Sequence, residues 1–148
     1  MAFRFPLEAV FHFRQSVEHQ QELRLRSANQ QVSRVRHLID QLDLHIQEMH
    51  NLQSQELGTG TTAAELRFSL LCEASAREHR LALQRELARL ENLRDQQQTI
   101  FRQARRDRET FESLRDHQLR DYERNAARRE QRQQDDLFLM RQTYLKRG

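Results

Sequence analysis

His12 and His19 lie seven residues apart. That spacing brings two imidazoles to one face of a helix, the closest this chain comes to a metal-ligand pair. Seven histidines in a long helical chain produce such a spacing by themselves, and these two read as solvated surface groups. No HExxH segment is present. The two neighbouring glycines, Gly58 and Gly60, have no Lys-Ser or Lys-Thr after them with which to cradle a phosphate. Cys72 is the one cysteine. It excludes an internal disulfide and any all-cysteine metal site, and it fits a reducing compartment. With no His or Asp held beside it, it reads as a small buried or semi-buried side chain rather than a nucleophile. Catalysis needs a cleft that excludes water, and two helices build none. The expectation is a chain that is not an enzyme and carries no cofactor or metal.

The elements follow from composition. Of 148 residues, 36% are hydrophobic and 32% charged, against roughly 45–50% and 25% in globular domains. Three glycines and one proline are too few to punctuate a sheet of this length. Nineteen glutamines and 24 arginines, with Glu, Leu and Ala, favour helix. No stretch approaches the ~18–20 apolar residues of a transmembrane helix. Arg4, Glu8 and His12 interrupt the start, so no signal peptide is read there and the protein is expected to stay where it is made.

The strong break is Leu57-Gly58-Thr59-Gly60-Thr61-Thr62. Glycine ends a helix by taking the left-handed conformation cheaply. Thr62-Ala63-Ala64-Glu65 then forms a capping box. Pro6 suits a first helical turn. These signals predict one coiled-coil domain over 1–148, with helix over about 6–57, a turn at 58–62 and helix over about 63–146. Ala28, Val35, Leu42 and Met49 recur every seven residues, as do Val32, Ile39 and Ile46 offset by four. These two rows are a coiled-coil seam. In the second segment Leu83, Leu90, Ala104 and Phe111 form one row and Leu87 and Phe101 the other, interrupted at Gln97 and Arg94. The first row set falters near Arg14–Gln21. A short link between two helices makes an antiparallel hairpin. The fold class is therefore all-α, a two-helix coiled coil with a longer, overhanging C-terminal helix. Folding at the glycines pairs residues whose numbers sum to about 120, which sets Leu7 opposite about Glu112. The second seam also fades after Phe111 and Leu114. The remaining ~50 Å of helix is expected to have no partner in the chain. It ends in Leu137, Phe138, Leu139 and Met140, then Tyr144 and Leu145. An isolated polar helix with an apolar tip calls for another protein to clasp it.

Charge is uneven. Residues 100–148 carry 13 basic and 9 acidic side chains, residues 1–99 carry 12 and 13. Within the positive end, Asn125-Ala126-Ala127-Arg128-Arg129 is similar to the basic region of leucine-zipper DNA binders. That signature puts two residues between Asn and the Ala pair and places its zipper afterwards; here the heptads come first. Glu123, Glu130, Asp135 and Asp136 dilute the charge. A mixed-charge solvated face, a protein-binding face and a nucleic-acid binder stay open, with nucleic acid the least supported.

The chain resembles the flagellar export protein FliJ family over nearly its whole length. The opening Phe3-x-Phe5-Pro6-Leu7-Glu8-x-Val10-x-x-x-Arg14 is similar to the family's start. Leu38-Ile39-Asp40, the Gly-Thr turn, Phe68 and His79-Arg80 fall at its relative spacings. Ala127-Arg128-Arg129-Glu130-Gln131-x-x-x-Asp135-Asp136 looks like its C-terminal segment, with Asp136 where Glu is usual. The resemblance implies a cytoplasmic coupling protein of the flagellar type III export apparatus, peripheral at the inner membrane. It implies binding to the export ATPase ring and the ATPase's regulator, to the export-gate membrane protein and to export chaperones. A self-associating coiled-coil scaffold or adaptor is the competing class. For the ATPase, helical spacing offers Leu119, Tyr122 and Ala126, flanked by Arg124 and Arg128, with Leu137, Met140 and Tyr144 continuing the face; incidental helix filler is the alternative. For the gate, the resemblance carries over Leu38, Phe68 and His79. Phe68 either packs near the turn or points outward as an anchor.

Overall fold

The computed structural model describes residues 2–148. Two helices, α1 (Glu8–Thr59) and α2 (Ala63–Arg147), make up 93% of the chain, and no strand is present among the described residues. They pack against each other as a helical hairpin. α1 begins two residues beyond Pro6 because the Glu8 amide first donates to the Phe5 carbonyl at 3.2 Å. This closes a turn with proline at its second position. At the other end α1 takes in Gly58 and runs to Thr59. Gly60 then adopts φ 99°, and its amide donates back to the Glu56 carbonyl at 2.8 Å, the left-handed cap that only glycine accepts without strain.

The start of α2 is the capping box the sequence predicts. The Glu65 amide donates to the Thr62 hydroxyl at 3.2 Å, and the Thr62 amide donates to the Glu65 carboxylate at 3.4 Å. The Thr61 hydroxyl adds a third bond to that carboxylate at 3.0 Å. Thr61, then the Thr62 backbone, hold the Glu65 carboxyl below the ordinary carboxylate range. A lowered folded-state pKa stabilises above the unfolded value and is lost as pH falls through the folded one. Thermal melts should therefore show the Glu65→Gln variant, which keeps the side chain's length and loses its charge, less stable than wild type at neutral pH. That deficit should shrink as the pH falls below the ordinary carboxylate range, where the wild-type carboxylate is also neutralised. A deficit unchanged by acid would mean that the carboxylate takes no part in the cap.

The chain divides into two compact units. In the unit His19–Arg102, Val32, Val35, Ile39 and Leu90 form the buried core, with Leu83 and Leu87 against it. These are the rows read from the heptads, and Ile46 joins them. Arg36 pairs with Glu91 at 2.7 Å, and Arg80 pairs with Asp43. At the Gln97 interruption, its amide donates to the Gln21 side-chain carbonyl at 2.7 Å. Gln21 and Gln97, one from each irregular stretch of the seam, thus satisfy each other as a polar layer that favours one register over its neighbours. The residue numbers of these three pairs add to between 118 and 127, around the 120 expected.

The second unit joins the described residues up to Glu18 with Gln103–Gly148. Phe5, Phe11 and Ala104 are buried there. Glu18 accepts from Arg108 at 2.6 Å, and Arg108 also reaches Glu112. These carboxylates, Glu18 foremost, raise the Arg108 pKa above its usual value. Arg14 bonds Asp107 at 3.5 Å. The non-helical lead then continues the packing past the start of α1. Glu8 pairs with Arg115 at 3.4 Å, the Arg115 guanidinium lies 5.5 Å over the Phe11 ring, and the Phe3 and Tyr122 rings pack at 5.6 Å. The expectation that α2 loses its partner from Arg115 onward is corrected: Leu119, Tyr122 and Ala126 are half-buried, and the fully exposed stretch begins at Ala127. The non-helical lead covers ground that helix counting leaves bare, since Phe3 lies before the first helical turn and still meets the Tyr122 ring.

Candidate functional site

No group of three or more His, Cys, Asp or Glu among the described residues is placed to hold a metal ion. His12 is occupied by Glu8 at 3.1 Å and Gln15 at 3.2 Å, and His19 faces Glu22 at 3.9 Å. What stands out instead is unburied apolar surface: large apolar side chains are exposed along both helices, Phe13, Leu44 and Leu57 among them, and two groups of them line continuous patches.

The first lies beside the turn. The seam positions nearest the turn are polar: Gln53 and Glu73 are buried, and Arg77 donates to Glu73 at 2.7 Å. That bond holds the Glu73 carboxyl below its ordinary value against the opposing effect of burial. With polar residues inside, apolar ones are left outside. Phe68 is 71% exposed, and Leu71 is exposed beside it. The two line a groove of about 530 Å³ with Cys72 and His79 on α2 and with Leu42, His45 and Met49 on α1. The outward reading of Phe68 is the one observed. Phe68 and His79 share this groove; Leu38 does not line it, although it is exposed one turn from Leu42 on α1. Leu70 is exposed while Ser69 is half-buried, so the seam passes through Ser69. Leu42, His45 and Met49 are groove residues that sequence reasoning did not assign to a site. The signal was there in part, since Leu42 and Met49 fall in the heptad row. A half-buried seam residue presents one side to its partner helix and the other to the groove.

The second surface is the end of α2. Leu137, Met140, Tyr144 and Leu145 line one exposed stripe with Arg141, and Tyr144 is 82% exposed. Their spacing of three, four and one is a helical face. Nearer the root, Tyr122 is covered in part by Phe3, so the face proposed from spacing is not uniform. Leu119, Tyr122 and Ala126 are half-buried, while Arg128, Leu137 and Met140 are open. Arg124 is answered on its own helix by Asp121 at 2.6 Å. Arg128 takes part in no ion pair among the described residues.

No helix is long and apolar enough to cross a membrane among the described residues. No curated protein matches the chain, and no solved structure does. A family model does match, that of the flagellar FliJ protein, over residues 3–147. The match takes in both helices, the capped turn between them, the Phe-rich lead and both unburied surfaces, and on that extent the chain belongs to the flagellar FliJ protein family and is a component of the flagellar export apparatus.

Proposed function

We propose that this chain is a non-catalytic coupling protein of the export apparatus. Its C-terminal helix binds the export ATPase ring as a central-stalk-like element, and the groove beside the turn binds the export-gate membrane protein. Export chaperones and the ATPase's regulator are further partners, and the protein sits peripherally at the inner membrane. The observation that carries this reading is that a family member leaves two separate apolar surfaces unburied, one in each of its units. Burying an apolar side chain is worth about 1.5–3 kcal/mol, so each surface is a binding free energy in waiting. Arg128 and the open stripe of Leu137 and Met140 are assigned to the ATPase, with Leu119, Tyr122 and Ala126 at its edge. Phe68 and His79 are assigned to the gate, with Leu38 at the margin.

Two variants separate the two contacts. Phe68→Ala should leave stability within about 0.5 kcal/mol of wild type, as for an exposed residue, while a pull-down on the gate protein's cytoplasmic part loses the chain and one on the ATPase keeps it. Met140→Asp should do the reverse. If Phe68→Ala binds the gate unchanged, the turn surface is misassigned. If the wild-type chain binds neither partner and sediments as a tight homodimer, the self-associating scaffold replaces this reading. Steeply salt-dependent duplex binding would instead favour a nucleic-acid role.

A further inference from the structure

Along the groove beside the turn, α1 presents Leu42, His45 and Met49 at i, i+3 and i+7, and α2 presents Phe68, Cys72 and His79 at i, i+4 and i+11. Those are the spacings by which one helix offers a stripe to another. Leu42, Met49 and Cys72 are half-buried: the α1–α2 seam covers one side of each and leaves the other open, so the groove is continuous with the seam. Asp43 with Arg80 and Glu73 with Arg77 occupy positions with their charges satisfied within the pair, and none of these four lines the groove.

Resting on the gate reading, we infer that the occupant of this groove is a single amphipathic α-helix of the partner, laid along it so that three helices share one seam beside the turn. The alternatives fit the surface poorly. Adding a β-strand needs an open row of backbone N–H and C=O groups, and in α1 and α2 those groups are spent inside the helices. A polyproline segment docks between ranked Trp, Tyr and Phe rings, and Phe68 is the one such side chain lining this groove. A helix needs neither. It needs apolar side chains spaced to meet its own i, i+3 or i+4, and i+7 anchors. The eleven residues from Phe68 to His79 span about 16 Å, three turns, which sets the docked helix at about a dozen residues. His45 and His79 have numbers adding to 124, inside the register range of this unit, so they lie opposite each other across the pair. Leu42 lies about one turn beyond His45, away from the turn, so the two imidazoles interrupt the apolar lining, and the docked helix places polar side chains opposite them.

The test uses the full-length chain and the purified cytoplasmic part of the export-gate protein. A photo-crosslinking p-benzoylphenylalanine is placed at Ser75, which lines the groove, and in a second variant at Ala74, which is exposed and does not line it. The expected result is cross-linking from Ser75 and little from Ala74. A companion set of donors at Leu71 and His79 should reach partner residues that recur every three or four positions within one segment of about a dozen. Cross-links at alternate residues, or scattered over several segments, overturn the helix. Equal yields from Ala74 and Ser75, or a complex that cross-links from neither, overturn the groove. Failure of the unmodified chain to form a complex overturns the gate reading itself and the docked helix with it.

Discussion

A chain ending at Ala127 is expected to melt like the full-length protein and to lose its hold on the export ATPase. Every residue from Ala127 onward is exposed, so deleting Arg128–Gly148 removes no packing within the chain. Stability should stay within about 0.5 kcal/mol of wild type, as for surface changes generally. The same deletion removes Leu137, Met140 and Tyr144. With each worth about 1.5–3 kcal/mol once buried, binding should fall by well over tenfold, since ~1.4 kcal/mol is one decade. The position of the cut matters. Ending the chain before Arg115, as the fading heptads suggest, also removes the partners of Glu8, Phe11 and Phe3 and should lower the melting temperature. A chain ending at Ala127 that still stimulates the ATPase fully would show that the end of α2 is not the coupling element.

Leu90→Ala should be the most damaging single truncation in the seam, costing about 2–5 kcal/mol. Eight apolar side chains are buried among the described residues. Leu90 packs in the same cluster as Val32, Val35 and Ile39, and no second layer lies behind it to close the void. A hairpin with so small a core has little stability in reserve, so urea melts by circular dichroism should move to markedly lower denaturant. Leu81→Ala is the control: Leu81 is 53% exposed, and its loss should cost under ~0.5 kcal/mol. Equal costs at the two positions would mean that the seam is not where Leu90 places it.

Helix type, turn position and register were legible because each rests on neighbours in the chain. The capping box from Thr62 to Glu65 and the glycine cap need only a few consecutive residues. Val32, Ile39, Ile46 and Leu90 announce burial through a seven-residue period, and all four are buried. The pairing sum of about 120 needs only a short turn. Even the irregular stretches were visible as breaks in the heptads, though not that Gln21 and Gln97 answer each other across the pair.

What tertiary structure decided is which flank of each helix stays open and where the overhang begins. Period alone cannot assign Leu42 or Met49 to a groove, because a heptad position says that a residue faces the partner helix and not what its far side meets. That Glu73 and Gln53 are buried while Phe68 and Leu71 are exposed reverses the order expected from hydropathy. It follows from register: once Val32, Ile39 and Leu90 are packed, the positions nearer the turn have no freedom to rotate a more apolar face inward. Likewise Phe3 and Phe5 precede the first helix and carry no period, so their packing toward Tyr122 and Arg115 depends on the path of a non-helical lead, which backbone geometry determines and local sequence does not.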